Sequence, residues 1–228
     1  MGKLVSVIIP AYNEERYLGA CLDSVLDQDL GPRRYEVVVV DNASTDGTAR
    51  LARRYPVRLV SEPCKGYVHA LRRGIEAGRA PILAFTDADC RVPSGWLAHL
   101  LADFAAAPEL LAVGGRLAFY GLDPFLERAT ALILECAGSL PGGNMAVRRE
   151  ALERLGGIDP GVNLGLDYWL TLQLKRLGPV FFDRSLVVRT SARRFHGAFA
   201  AQLKYPLNVL ALQLLSRPLF FDFPDVRG

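Results

Sequence analysis

Four short apolar runs, each leading into a stretch with helical spacing, constrain this chain more than any other feature. They are Leu4–Ile9 (closed by Pro10), Glu36–Val40 (ending at Asp41), Val57–Val60 and Pro81–Thr86. Apolar runs of this length between turn formers read as buried strands. After the first, Leu18, Cys21, Leu22, Val25 and Leu26 recur at helical spacing. Asn13 can cap that helix, and Glu14 and Glu15 suit the positive end of its dipole. Ser44 or Asp46 caps a second helix running to about Tyr55, and Gly66–Ala77 forms a third, closed by Gly78. Strand and helix alternate throughout, so the first ninety-odd residues are predicted to form a parallel sheet with right-handed crossovers.

The fourth run ends on two aspartates one residue apart, Asp87 and Asp89. On an extended chain they share a face. In open α/β sheets, ligands bind beyond the carboxyl ends of the strands, which is where this pair emerges. Hard carboxylate oxygens at this spacing suit Mg²⁺ or Mn²⁺, and such an ion usually carries a phosphate. An Asp-rich turn followed by Pro93-Ser94 explains the pair without a ligand.

Beyond residue 95 the pattern is less regular. Trp96–Phe104 and Pro124–Cys136 read as helices and Leu111–Leu117 as a strand. Gly142-Gly143-Asn144 is a turn into the short apolar run Met145–Val147, and Arg149–Leu155 is a short helix ended by Gly156-Gly157. Asp167–Leu177 is a helix stopped by Gly178-Pro179. Val180–Phe182 and Leu186–Val188 read as two strands. Within Ala198–Leu215, Leu203, Leu207, Leu210 and Leu214 lie near helical spacing, interrupted by Pro206.

The remaining bulk properties exclude several classes. The net charge of +3 and the lack of a Lys/Arg run give no sign of a nucleic-acid partner. Cys21, Cys64, Cys90 and Cys136 are scattered and form no CxxC, which argues against a zinc or disulfide framework and fits a reducing cytosol. The chain enters a strand at once, without a leader pattern, and carries no uninterrupted apolar stretch long enough for a membrane span. A cytoplasmic protein is expected, free or peripheral at the inner face of the membrane. The segment after residue 197 packs on the core, pairs with a second copy or rests on a membrane surface.

The loops after the strands narrow the chemistry. Pro10–Glu14 lacks the G-x-G-x-x-G that lets a pyrophosphate approach a dinucleotide-binding helix, which disfavours nicotinamide and flavin. Tyr12 is placed to stack on a base, or to cover the sheet edge. Asp41 points out of the same edge, where it can accept from a base N–H or a ribose hydroxyl.

Val5-Ser-Val-Ile-Ile-Pro-Ala-Tyr-Asn-Glu14, Val39-Val-Asp-Asn-Ala-Ser-Thr-Asp-Gly47 and Phe85-Thr-Asp-Ala-Asp89 together resemble a family 2 glycosyltransferase of the GT-A fold. Gly142-Gly-Asn-Met-Ala-Val-Arg-Arg149 and Glu150-Ala-Leu-Glu-Arg-Leu-Gly-Gly-Ile-Asp159 are similar to that family's acceptor-side segment. The resemblance spans about residues 4–190. It implies one domain over about residues 1–197, with a mostly parallel central sheet flanked by helices. The nucleotide-sugar half is residues 1–95, the acceptor half 96–197, and a helical tail covers 198–228. It further implies a nucleotide-diphospho-sugar donor, with UDP preferred, and a carbohydrate or lipid-linked acceptor.

Carried over by position, Pro10, Ala11, Tyr12 and Glu14 line the nucleoside pocket and Asp41 contacts the base. Lys65, Gly66 and Arg72 lie beside the ribose and diphosphate, though a solvated helix face also accounts for Arg72. Asp87-Ala88-Asp89 is the DxD element, with Asp89 the direct ligand of Mn²⁺ or Mg²⁺ and Asp87 near ribose or bound water. Gly143 and Asn144 face the sugars. Arg193 and Arg194 can clamp a diphosphate with forked hydrogen bonds, and His196 is a further candidate ligand.

Asp167 is the candidate general base, its competing reading being a helix N-cap. The family's usual Glu-Asp is Leu166-Asp167 here, so the Glu is missing and the Asp is kept. One carboxylate base and one in-line displacement imply inversion, as the family resemblance does. Two alternatives stand beside this reading: a GT-A scaffold that binds sugar nucleotide without turnover, and a DxD phosphatase. The phosphatase ranks lower because its nucleophile sits on an early strand, whereas three βα units precede Asp87 here.

Overall fold

The computed structural model describes residues 2–121, 138–162 and 165–195, with the side chains of residues 194 and 195 excepted. The expected helices Pro124–Cys136 and Ala198–Leu215 and the residue His196 lie outside the described residues.

Among the described residues, eight strands form one sheet. In chain order the elements are β1 (Val5–Ala11), α1 (Leu18–Leu26), β2 (Tyr35–Asp41), α2 (Thr48–Ala52), β3 (Arg58–Ser61), α3 (Tyr67–Ala77) and β4 (Ile82–Phe85). There follow β5 (Cys90–Arg91), α4 (Trp96–Ala106), β6 (Ala112–Tyr120), β7 (Met145–Arg148), α5 (Arg149–Arg154), α6 (Leu166–Leu177) and β8 (Val180–Ser191). A 3₁₀ turn, Ala192–Phe195, closes the described chain. The strand order is β3-β2-β1-β4-β7-β6-β8-β5.

The first four strands pair in parallel, as the alternation predicts. Every residue of β1 is buried, because helices cover both faces of the sheet. Side chains alternate between those faces. Val5, Val7, Ile9, Val37 and Val39 join a core with Leu18 and Leu22 of α1 and Trp96 and Leu100 of α4. Ile8, Val38 and Val40 join the opposite core with Val68 and Leu71 of α3 and Leu170 and Leu174 of α6.

Direction then reverses. β7 runs antiparallel to both β4 and β6, with Met145 opposite Phe85. The Gly142–Asn144 turn at the start of β7 is thereby delivered to the carboxyl end of β4, beside the aspartate pair. β6 and β8 pair in parallel, not as two separate strands at residues 180–182 and 186–188. Register runs from Gly115 opposite Asp183 straight to Arg116 opposite Val187. The intervening Arg184-Ser185-Leu186 forms a bulge, held by Asp183 Oδ1 accepting from Ser185 N–H at 2.8 Å and Ser185 Oγ at 2.7 Å. Gly115 is required there, since a Cβ would lie 2.1 Å from the Leu186 carbonyl oxygen. Past the bulge, β8 pairs with β5, so its end returns to the Asp87–Asp89 turn. No helix among the described residues is long and apolar enough to cross a membrane.

Candidate active site

The aspartate pair is presented by a turn rather than by an extended strand. β4 stops at Phe85, and Cys90 N–H bonds the Asp87 carbonyl at 3.0 Å. The turn still brings the two carboxylates together: ligand atoms of Asp87, Asp89 and Cys90 lie within 4.8 Å of one another. Burial, then the charges of Asp87 and Asp89, push the Cys90 thiol well above its usual range. The two carboxylates are the hard-oxygen groups of this cluster that could hold a divalent ion. Asp87 is half-buried and accepts a hydrogen bond from Tyr67 Oη at 3.2 Å. Asp89 is 4% exposed, and its backbone carbonyl accepts from Tyr120 Oη at 2.9 Å. Two hard carboxylates converging beside a glycine turn fit a divalent cation. Here Asp89 Oδ2 meets Arg193 Nη2 at 3.0 Å.

Arg193 is carried to this point by the return of β8. Its Nη2 also pairs with Glu14 Oε1, and its Cζ lies 4.3 Å from the centroid of the Tyr17 ring. Glu14 is itself only 4% exposed. Burial acts to lower the Arg193 pKa. The hydrogen bond to Glu14 and the charges of Asp89 and Glu14 outweigh burial and raise it, so the guanidinium stays charged.

The loops after β1 and β2 form one cross-tied rim. Asn13 does not cap α1, which starts at Leu18 with no side-chain cap. Instead Asn13 Oδ1 accepts from Thr45 N–H at 2.8 Å, and Asn13 N–H donates to Ser44 Oγ at 3.1 Å. Neither Ser44 nor Asp46 is the N-cap of the second helix: that place is taken by Gly47, with no side-chain cap. Asp46, one residue earlier, accepts from Thr48 N–H at 2.9 Å, and Ser44 ties the loops. Asn13 and Ala43 both take left-handed φ values, 53° and 59°. For alanine that costs on the order of 1 kcal/mol and marks an over-determined loop.

Tyr12 lies under Lys65, whose Nζ donates to Tyr12 Oη at 2.7 Å and sits 4.1 Å from the ring centroid. Asp41, at the tip of β2, accepts from Ser44 N–H at 3.4 Å. Next to it, buried Asn42 donates to the carbonyls of Glu62 and Cys64 and accepts from Gly66 N–H at 2.8 Å. That anchors the segment carrying Lys65 and Gly66. Pro10 and Ala11, at the end of β1, are buried. Arg72 is exposed on α3.

The second half contributes through two glycines. A Cβ on Gly143 would lie 3.2 Å from both Asp87 Oδ2 and Cys90 Sγ. On Gly142 it would lie 3.1 Å from Tyr67 Oη and 3.9 Å from Asp167 Cβ. The missing side chains leave a cradle between the DxD turn and the start of α6. Asp167 stands in the first turn of that helix, whose N-cap is Gly165. Leu166, where the family's Glu would stand, is buried in the core. Asn144 has no exposed surface. Its Oδ1 accepts from Trp96 Nε1 at 2.9 Å, and its Nδ2 donates to the Arg116 and Leu186 carbonyls at 2.9 and 3.0 Å. Its side chain ties three elements together inside the fold.

The structure thus gathers Glu14, Asp87, Asp89, Gly143 and Arg193 at one spot, with Asp167 and Gly142 alongside. Tyr12 and Lys65 pair with each other. The Arg194 side chain lies outside the described residues. Two aromatic participants escape sequence reasoning: Tyr67, bonded to Asp87, and Tyr17, under Arg193. The only signal for Tyr67 is its place at the first position of α3, directly after Gly66.

The family profile described as Glycosyl transferase family 2 matches residues 6–156. An uncharacterised glycosyltransferase of Mycobacterium bovis is 36% identical over 167 residues, covering 69% of this chain and 73% of the relative. The glycosyltransferase AglE of Haloferax volcanii is 38% identical over 121 residues, covering 50% of this chain and 40% of AglE. Among solved structures, the mannosyltransferase PcManGT of Pyrobaculum calidifontis, in complex with GDP-Man and Mn²⁺, superposes with a TM-score of 0.73 at 27% identity. That match covers 93% of this chain and 65% of PcManGT. TarS of S. aureus shares the fold, with a TM-score of 0.71 at 17% identity, over 95% of this chain and 40% of TarS. The sheet, the DxD turn at the tip of β4 and these matches agree: the chain is a GT-A-fold glycosyltransferase belonging to glycosyl transferase family 2.

Proposed function

We propose that this chain moves a sugar from a nucleotide-diphospho-sugar to an acceptor hydroxyl, with metal assistance and with inversion at the anomeric carbon. The observation that carries the reading is the convergence of Asp87 and Asp89 on the Gly142–Gly143 cradle, with Asp167 at its far side. Asp89 is the principal ligand for Mn²⁺ or Mg²⁺, and Asp87 is its neighbour on the ribose side. When bound, the ion supplies positive charge against the leaving diphosphate.

The protein groups divide the remaining work. The loops after β1 and β2, locked together through Asn13, hold Tyr12 and Asp41 for the nucleoside. Lys65 and Arg193 are cations within reach of a diphosphate. Gly142 and Gly143 let the donor sugar approach the backbone. Asp167 accepts the acceptor proton as the hydroxyl attacks. A single carboxylate on the face away from the leaving group gives inversion, by the geometry that distinguishes inverting glycosidases. The burial of Leu166 supports this division, because the missing Glu is replaced by a core residue while Asp167 keeps its place by the cradle.

PcManGT binds GDP-Man and Mn²⁺, which makes GDP-mannose the first donor to try, beside UDP and dTDP sugars. Thermal-shift screening tests the reading: one sugar nucleotide should raise the melting temperature with Mn²⁺ present and not with chelator. A shift that ignores chelator, or no shift with any sugar nucleotide, overturns it.

A further inference from the structure

Arg193 occupies a seat that the active site needs for something else. Its Nη2 lies 3.0 Å from Asp89 Oδ2 and pairs with Glu14 Oε1, bridging two carboxylates that are each 4% exposed. Two buried carboxylates at such range repel unless a cation compensates them. In this structure the guanidinium is that cation. Its seat is incomplete, however. The Nε–H is buried without a hydrogen-bond partner. A buried donor left unmade is costly, and more so on a charged group. The guanidinium is therefore drawn in by charge and poorly served in its hydrogen bonds.

We propose that Arg193 is a resident cation that holds the carboxylates of Asp89 and Glu14 and must be displaced from Asp89 when a divalent ion binds there. The inference rests on the reading of Asp89 as the metal ligand. Arg193 and the ion share Asp89 Oδ2, so occupancy by one weakens the other. The arrangement keeps the acidic seat neutralised between turnovers. It also ties metal binding to movement of the 3₁₀ turn Ala192–Phe195 that carries Arg193. Tyr17 is the platform on which the guanidinium rests while seated, with its Cζ 4.3 Å from the ring centroid.

The test is Mn²⁺ binding to the full chain without nucleotide, followed by the spectroscopic signal of free Mn²⁺. Arg193→Met should bind Mn²⁺ at least about tenfold tighter than the unmodified chain, since one competing unit charge at contact has been removed. Asp89→Asn should abolish that binding in both backgrounds. Equal or weaker binding by Arg193→Met, with Asp89→Asn still abolishing it, overturns the resident-cation inference and leaves the metal reading standing. Binding untouched by Asp89→Asn overturns the metal reading and this inference with it. Should Arg193→Met not fold, the unmodified protein serves, labelled with ¹⁵N-arginine. Adding Mg²⁺ should then shift the Arg193 Nε–H resonance and speed its exchange with solvent. A resonance that ignores saturating Mg²⁺ overturns the inference.

Discussion

The two halves of the sheet reach the same active site by different physics. From β1 to β4 the strands run parallel, and apolar side chains pack on both faces, with Ser6, Asn42 and Thr86 as buried polar exceptions. Functional groups there sit on loops after the strands, where the sheet exposes its carboxyl edge. From β6 to β8 directions are mixed, and buried polar side chains set the geometry. Asn144 ties β7 to α4, β6 and β8, and Asp183 closes the β8 bulge. Hydrophobic burial tolerates small adjustments of shape, whereas a buried amide with every bond made fixes position. The first half builds a platform and the second aims residues at it.

Paired substitutions separate those contributions, and the largest difference lies in turnover. Asp89→Asn, in the first half, should lower sugar transfer roughly a thousandfold, because positive charge at the leaving group is lost. Metal-dependent donor binding should vanish with it. Asp167→Asn, in the second half, should lower turnover about a hundred- to a thousandfold by removing the proton acceptor. Its donor-induced thermal shift should persist. Steady-state transfer beside thermal shift reads both. If Asp167→Asn also lost donor binding, the division into a binding half and an acceptor half would break.

A smaller difference is expected in stability. Asn144→Ala strands the Trp96 indole N–H and two backbone carbonyls, at a cost of about 3 kcal/mol in urea unfolding. Val39→Ala, at a fully buried position of β2, should cost about 2 kcal/mol by leaving a partly collapsed cavity. Their consequences for function should differ more than their stabilities. Val39→Ala should leave donor binding intact below its melting temperature. Asn144→Ala should weaken it, since Gly143 beside Asp87 loses its anchor. Equal donor affinity in the two variants would show that Asn144 holds the fold and not the site.

The same contrast explains what was legible in the sequence. β1, β2 and β4 stood out because strands covered on both faces must be largely apolar. The DxD turn stood out because two acids at a strand tip have few structural uses. β8 was misread as two strands because Arg184 and Ser185 interrupt its apolar run, and only Gly115 on a neighbouring strand makes room for the bulge. β5, at two residues, has no periodicity to detect. Asn13 looked like a local cap, yet its partner is Thr45, 32 residues away. The burial of the Asn144 amide was hidden because sequence does not tell an exposed amide from a saturated one. The Arg193–Glu14 pairing spans 179 residues, and no local rule reaches that far.

The smallest effect falls on the acid limb of stability, where each half offers one carboxylate. Asp183, in the second half, has its pKa lowered although burial alone would raise it. The Ser185 hydroxyl and N–H bonds prevail, aided by His99 Nε2 at 2.6 Å from Asp183 Oδ2. Asp46, in the first half, is lowered through its bonds to Thr48, against the same opposing burial. A carboxylate whose pKa is depressed on folding stabilises the protein above the unfolded value, near 4. That stability is lost as pH falls through the lower, folded value. Asp183→Asn should therefore cost about 1 kcal/mol at pH 7 and progressively less below pH 4, where the unmodified protein loses the same interaction. Asp46→Asn should follow the same curve with a smaller amplitude, because Asp46 is exposed and solvent screens it. Urea midpoints between pH 2.5 and 7 measure both. If Asp46→Asn flattened the acid limb more than Asp183→Asn, the bulge would not be the more tightly specified of the two turns, and the contrast between the halves would fail at its most local point.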